Sequence, residues 1–146
     1  MGILGTLHPK VRAGLLCKGG AATGLHRALE RDPRDLLLEK PRYGAFHGTD
    51  LELILRGRGI DTVIIAGIAT NICCDTTERE AAVRDFRVLF LRDGTATSGA
   101  TDLAADVVQA STLATIDDAF GQVLSVDEAI RKIRGATSGG LVGERS

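Results

Sequence analysis

The stretch Gly67-Ile68-Ala69-Thr70-Asn71-Ile72-Cys73-Cys74 holds the residue types best suited to chemistry in this sequence. An uncharged run, Thr62-Val63-Ile64-Ile65-Ala66, precedes it, and a run with charges at Glu78, Arg79, Glu80 and Arg84 follows. A thiol in the first turn of a helix that leaves a strand faces unpaired backbone N–H groups and the positive end of the helix dipole. Its thiolate, the nucleophilic form, is stabilised there, and the same N–H groups can hold an oxyanion forming on a carbonyl under attack. Free cysteine is also among the most buried residue types, so the adjacent pair equally reads as small apolar side chains sealing a helix start. Lys40 is the second candidate, closing the apolar run Leu36-Leu37-Leu38-Glu39 directly ahead of Pro41. A lysine beside a thiol lowers the thiol pKa and steadies developing negative charge; standing alone, it reads as a solvated strand-end lysine.

These candidates need elements to bring them together, and the sequence supplies an alternating series. Leu36 to Lys40 reads as a strand stopped by Pro41, followed by a loop through Tyr43 and Phe46. Thr49 with Glu52 makes a capping-box pattern that opens a helix, whose face is Leu51, Ile54 and Leu55 and whose end is marked by Gly57 and Gly59. Thr62 to Ala66 suits a strand buried on both faces of a parallel sheet. A helix from near Ile72 to about Asp85 leads to a strand at Val88 to Leu91, a turn-rich loop at Asp93 to Thr101, and a helix from about Asp102 to Ala114. Gln122 to Leu124 is a short last strand; Ser125 with Glu128 repeats the capping-box pattern before a helix through Ile133. This alternation predicts an open α/β sheet in which Thr62–Ala66 and Val88–Leu91 are neighbouring parallel strands. Ligands bind such sheets beyond the carboxyl ends of the strands, where Lys40 onward, Gly67–Cys74 and Asp93–Gly99 arrive together.

Composition narrows the function. The 146 residues suit one domain, and 44% hydrophobic with 25% charged residues is globular. Lys+Arg at 18 against Asp+Glu at 19 gives a net charge of −1, so no general electrostatic attraction to nucleic acid or an anionic membrane is expected. No apolar run approaches the roughly 20 residues of a membrane span. Residues 1–25 are too interrupted by charge, Pro9 and glycine for a signal peptide, and a soluble cytoplasmic protein is the expectation. Cys17, Cys73 and Cys74 are odd in number and partly adjacent, which does not suit a disulfide framework, and no CxxC or HxxxH spacing offers a zinc site. His8, His26 and His47 are scattered, with only His47 near the expected pocket. Neither GxGxxG after a strand nor GxSxG is present, which argues against a dinucleotide-binding domain and a serine hydrolase.

Lys40-Pro41-Arg42-Tyr43-Gly44-Ala45-Phe46, followed by Gly48-Thr49-Asp50-Leu51, resembles the lysine-bearing segment of the isochorismatase-like cysteine hydrolases. The strand ending in Gly67-Ile68-Ala69-Thr70-Asn71-Ile72-Cys73 continues the match in register. Asp75-Thr76-Thr77-Glu78-Arg79-Glu80-Ala81 resembles the family's helix after the nucleophile, and Arg87 to Asp93 its following strand. The chain then divides into an atypical N-terminal segment (1–32), a partial isochorismatase-like hydrolase domain (33–134) and a flexible tail (135–146). The resemblance implies a three-layer, Rossmann-like α/β fold, a mostly parallel sheet with helices on both faces. It further implies a hydrolase of C–N bonds in small amide, ureido or carbamoyl compounds, similar to N-carbamoylsarcosine and ureidoacrylate amidohydrolases. Cys73 matches the nucleophile and Lys40 the catalytic lysine; Cys74, one step round the helix, should pack. Ala69–Thr70 falls at the family's cis peptide, the N–H groups near Ile72 and Cys73 at its oxyanion hole, and Phe46, His47 and Asn71 along the pocket. No cofactor and no metal are implied; the expected partners are a small-molecule substrate and further copies of the chain.

One departure stands out. The family's third catalytic residue is an aspartate ending an N-terminal strand, and residues 1–34 contain no apolar run leading to an acid; Asp32 and Asp35 only flank Pro33. The sequence therefore looks N-terminally truncated relative to that family, without its first strand or strands. The alternative is a catalytically impaired remnant that serves as a small-molecule-binding or oligomer subunit.

Overall fold

Three parallel strands order the chain in the computed structural model, which describes residues 24–139. They are β1 (Thr62–Ile68), β2 (Arg87–Ala96) and β3 (Gln122–Leu124), side by side in that order. Helices α1 (Leu51–Gly57), α2 (Asp75–Ala82), α3 (Ala105–Ala119) and α4 (Val126–Gly139) alternate with them. Thr62 stands opposite Arg87 and Ile65 opposite Phe90; pairing then slips and resumes with Gly67 opposite Thr95 and Ile68 opposite Ala96. Leu91, inside the slip, pairs with Leu124 of β3 instead. The expected parallel neighbours are thus in place.

β-branched and aromatic side chains alternate along these strands, and the faces separate accordingly. Val63, Ile65, Val88, Phe90 and Val123 point toward α1, α2 and α3, where Phe46, Ala81 and Phe86 form one cluster and Cys74, Phe90 and Ile116 another. On the opposite face, Lys132, Ile133 and Ala136 of α4 border a cleft against Ile64 and Leu89. Three layers result, as the family resemblance implies.

Several local expectations change. β1 is not buried on both faces, since Ile64 is 43% and Ile68 77% exposed. It is the end strand among the described residues, and α4, which follows β3, packs over β2 and β3. Leu36 to Lys40 forms no strand, and the segment lies exposed. β2 runs on to Ala96, because after the slip its end pairs with Gly67 and Ile68, a bulge that Asp93-Gly94 disguises as a turn.

The two capping-box patterns have different outcomes. Glu128 N–H donates to Ser125 Oγ at 3.1 Å, and Ser125 N–H donates to Glu128 Oε2 at 2.6 Å. At α1, Thr49 Oγ1 accepts the Leu51 N–H at 3.2 Å, but Glu52 is taken by Arg56 and Arg84, each at 3.0 Å. Two charge-assisted bonds outweigh one bond to a backbone N–H.

α3 starts at Ala105 rather than Asp102, since Ala100 and Leu103 first close a tight turn through two backbone hydrogen bonds. α4 continues through Gly135 to Gly139, past the expected start of the tail; one interior glycine costs only about 1 kcal/mol. Cys17 and His8 lie outside the described residues. Among the described residues, no helix is long and apolar enough to cross a membrane.

Candidate active site

β1 ends at Gly67, whose φ of +127° is closed to most L side chains. The Ile68–Ala69 peptide that follows is cis, one residue before the expected position. Ala69–Thr70 is otherwise engaged: the Ala69 carbonyl accepts the N–H groups of Ile72 and Cys74, both at 3.1 Å, and so belongs to the next helical turn. That turn, Thr70–Cys74, is π-helical and runs directly into α2. Such wide turns are frequent at functional sites.

The turn separates the two cysteines. Cys74 is buried against Phe90 and Ile116. Burial pushes its thiol up to about 11, with Cys73 adding to the shift and the Lys40 charge opposing it. Cys74 packs, as expected. Cys73 is half-buried, on the stripe that continues with Thr77 and Glu80. Thr77 Oγ1 donates to the Cys73 carbonyl at 2.7 Å and accepts the Ala45 N–H at 3.1 Å. Glu80 Oε2 accepts the Phe46 N–H at 2.9 Å. The lysine-bearing loop is thereby fastened along the side of α2, and the Lys40 ammonium donates to the carbonyls of Arg42 (3.0 Å) and Tyr43 (2.8 Å).

An open cleft of about 320 Å³ lies beyond the carboxyl ends of β1 and β2, lined by Ile68, Ala69, Ala96, Thr97 and Ser98. Asn71 is half-buried beside it, its Oδ1 accepting the Thr97 hydroxyl at 2.5 Å. Gln109 Nε2 donates to the Arg92 carbonyl at 3.1 Å and to Thr95 Oγ1 at 3.3 Å, which secures this end of β2.

Other expected site residues are placed differently. Phe46 enters the core, 6% exposed, with its ring 5.7 Å from that of Phe86 and the Arg84 guanidinium 5.2 Å above it. An apolar ring gains more from this burial than from lining an open cleft. His47 is exposed. The Ile72 N–H is occupied by the Ala69 carbonyl, and Thr70 is fully buried. Asp32 is exposed and held to Arg34 at 2.8 Å, while its N–H donates to Asp35, so both acids close a local turn. Among the described residues, no group of three His, Cys, Asp or Glu side chains is arranged to hold a metal.

Thr77 and Glu80 are the site-forming residues that sequence reasoning passes over as part of a charged helix. Their signal is spacing: Cys73, Thr77 and Glu80 stand at i, i+4 and i+7 and share a face.

The profile of the isochorismatase domain matches residues 5–128. The chain belongs to the isochorismatase family. Among its relatives, ureidoacrylate amidohydrolase RutB of Methylorubrum extorquens is 38% identical over 134 residues, covering 86% of this chain and 52% of the relative. The protein of the same description in Enterobacter sp. is 36% identical over 118 residues, covering 81% and 49%. The chain thus spans about half the length of these curated relatives. A cysteine hydrolase from Pseudomonas syringae pv. phaseolicola superposes with a TM-score of 0.87 at 35% identity, over 93% of this chain and 66% of the other. An isochorismatase-like hydrolase from Alkaliphilus metalliredigens does so with a TM-score of 0.72 at 30% identity, over 81% and 62%. Isochorismatase-family members of these descriptions are hydrolases, and the sheet and crossovers seen here are theirs.

Proposed function

We propose that this isochorismatase-family chain is a cysteine hydrolase of C–N bonds in small amide, ureido or carbamoyl compounds. The observation that carries the reading is the fastening of the Lys40 loop, through Ala45 and Phe46, to the helix face that bears Cys73. The Cys73 thiolate attacks the substrate carbonyl carbon, and the electron pair of the C=O bond moves to oxygen. Lys40 and the turn at Ala69, Thr70 and Ile72 face the resulting oxyanion, with the Ile72 N–H turning to it from the Ala69 carbonyl. The oxyanion re-forms the C=O bond as the C–N bond breaks, the departing nitrogen takes a proton from solvent water, and a second water hydrolyses the thioester to release the acid and regenerate Cys73. The cleft between Ala69 and Thr97, with Asn71 beside it, admits a small substrate from a soluble pool.

A second reading draws on the acids around Cys73. Asp75 pairs with Arg79 at 3.0 Å, Glu80 holds the Phe46 N–H, and Glu78 is fully buried. A leaving nitrogen needs a proton donor, worth about 10²–10⁴-fold. A fold without one would serve as an impaired binding or oligomer subunit.

Ammonia release from a panel of small ureido, carbamoyl and simple amide compounds separates the two. Hydrolysis that Cys73→Ala abolishes, and that Lys40→Met lowers about 10²-fold or more, is the expected result. A panel left intact while Cys73 alkylates normally supports the impaired subunit.

A further inference from the structure

Glu80 stands where α2 meets the lysine-bearing loop, and three features tie that loop to the helix, two of them through the Glu80 carboxylate. Oε2 accepts the Phe46 N–H at 2.9 Å, and one turn earlier Thr77 accepts the Ala45 N–H at 3.1 Å. Gly44 is buried with no room for a side chain, because a Cβ there would collide with the Glu80 carboxyl group. Beyond these contacts Phe46 anchors the loop in the core, and Arg84 secures the corner by donating to the Glu80 carbonyl at 2.8 Å beneath its stacking contact with Phe46. On the near side, the residue before Gly44 is Tyr43, whose carbonyl accepts the Lys40 ammonium at 2.8 Å. The place of the ammonium is therefore referenced to the Cys73 helix through a few residues of backbone.

We propose that Glu80 is a positioning residue that sets the place of the Lys40 ammonium relative to the Cys73 thiol by holding the backbone of the loop at Phe46. The inference rests on the reading of Lys40 and Cys73 given above. The Lys40 charge already acts on the neighbouring Cys74 thiol against the effect of burial, so the ammonium lies within electrostatic reach of the cysteine pair. A glutamate that only packed the helix would affect stability without changing what Lys40 does to a thiol.

The test is the pH–rate profile of Cys73 alkylation by iodoacetamide, read by mass spectrometry on the full chain. Lys40→Met removes a positive charge that favours the thiolate and should displace the rate profile to higher pH. At neutral pH the rate should fall about threefold, less than the loss of thiolate because a more basic thiolate is also more nucleophilic. Glu80→Ala should reproduce most of that shift, and Glu80→Ala with Lys40→Met should shift no further than Lys40→Met alone. Glu80→Gln keeps a side-chain carbonyl for the Phe46 N–H and should stay near wild type. Gly44→Ala displaces the carboxylate without removing it and should match Glu80→Ala, which covers the case where the alanine variant fails to fold. Shifts that add in the double variant, or a Lys40→Met shift that neither Glu80→Ala nor Gly44→Ala shares, overturn the inference and leave the reading of Lys40 standing. A profile unmoved by Lys40→Met overturns that reading and the inference with it.

Discussion

The hydroxyl of Thr97 donates to Oδ1 of Asn71 across 2.5 Å, joining the residue that follows β2 to the turn that contains Cys73. That turn otherwise rests on the Ala69 carbonyl, which takes the N–H groups of both Ile72 and Cys74. A hydrogen bond of this kind contributes about 1 kcal/mol. Thr97→Val should therefore lower the hydrogen-exchange protection of the Ile72 and Cys74 amides about fivefold, while Thr97→Ser preserves it. Unchanged protection in the valine variant would show that Asn71 holds the turn without Thr97.

The two cysteines should separate cleanly by reactivity. With its thiol at about 11, Cys74 carries about one thiolate in 10⁴ at pH 7, and it is sealed beneath Phe90 and Ile116. Cys73 is a free, half-buried thiol. Brief iodoacetamide treatment in a Cys17→Ser background should label Cys73 at least about tenfold faster than Cys74. Preferential labelling of Cys74, read by peptide mass spectrometry, would displace Cys73 as the nucleophile.

How far the sequence could be read depended on where each partner lay. Thr62–Ala66, Val88–Leu91 and Gln122–Leu124 are uncharged runs, and each became a strand because an apolar run between turns has few other uses in an α/β chain. The end of β2 was not legible, since the bulge at Asp93-Gly94 is fixed by pairing with Gly67 and Ile68 and not by local composition. The same capping-box pattern occurs at Thr49 and Ser125, yet only Ser125 realises it; at Thr49 the outcome is decided by Arg84, 32 residues from Glu52. Cys73 and Lys40 could be singled out from residue type and resemblance. Thr77 and Glu80 leave only their spacing from Cys73, because the backbone N–H groups of Ala45 and Phe46 that they hold are offered by every residue but proline and mark no partner in a sequence.

The capping box that does form should be measurable. Ser125→Ala removes the acceptor of the Glu128 N–H and frees the Glu128 carboxylate, which also holds Arg92 at 2.9 Å. A lost N-cap costs about 1 kcal/mol, equivalent to roughly 3–6 °C in Tm for a domain of this size. A thermal melt that moves by less than about a degree would mean that α4 is held by its packing on β2 and β3 alone.

Glu78 gives the pH dependence. It is fully buried, and neither carboxyl oxygen has a hydrogen-bond partner among the described residues. Burial raises its pKa from the usual 4.5 to about 7; the charge of Asp75 adds to the rise and that of Arg79 opposes it. Below 4.5 the group is protonated in both folded and unfolded chains and stability does not change with pH on its account. Between 4.5 and about 7 the unfolded chain releases the proton while the folded chain keeps it, so stability falls as pH rises. Above about 7 both forms are ionised and the loss, on the order of 3 kcal/mol, is complete. Glu78→Gln has nothing to ionise and should lose this slope, so that it is less sensitive than wild type between pH 5 and pH 8 and melts several degrees higher at pH 8. Urea denaturation at the two pH values provides the measurement. Equal slopes for wild type and Glu78→Gln would mean that the carboxyl group finds a partner that carries its charge in solution.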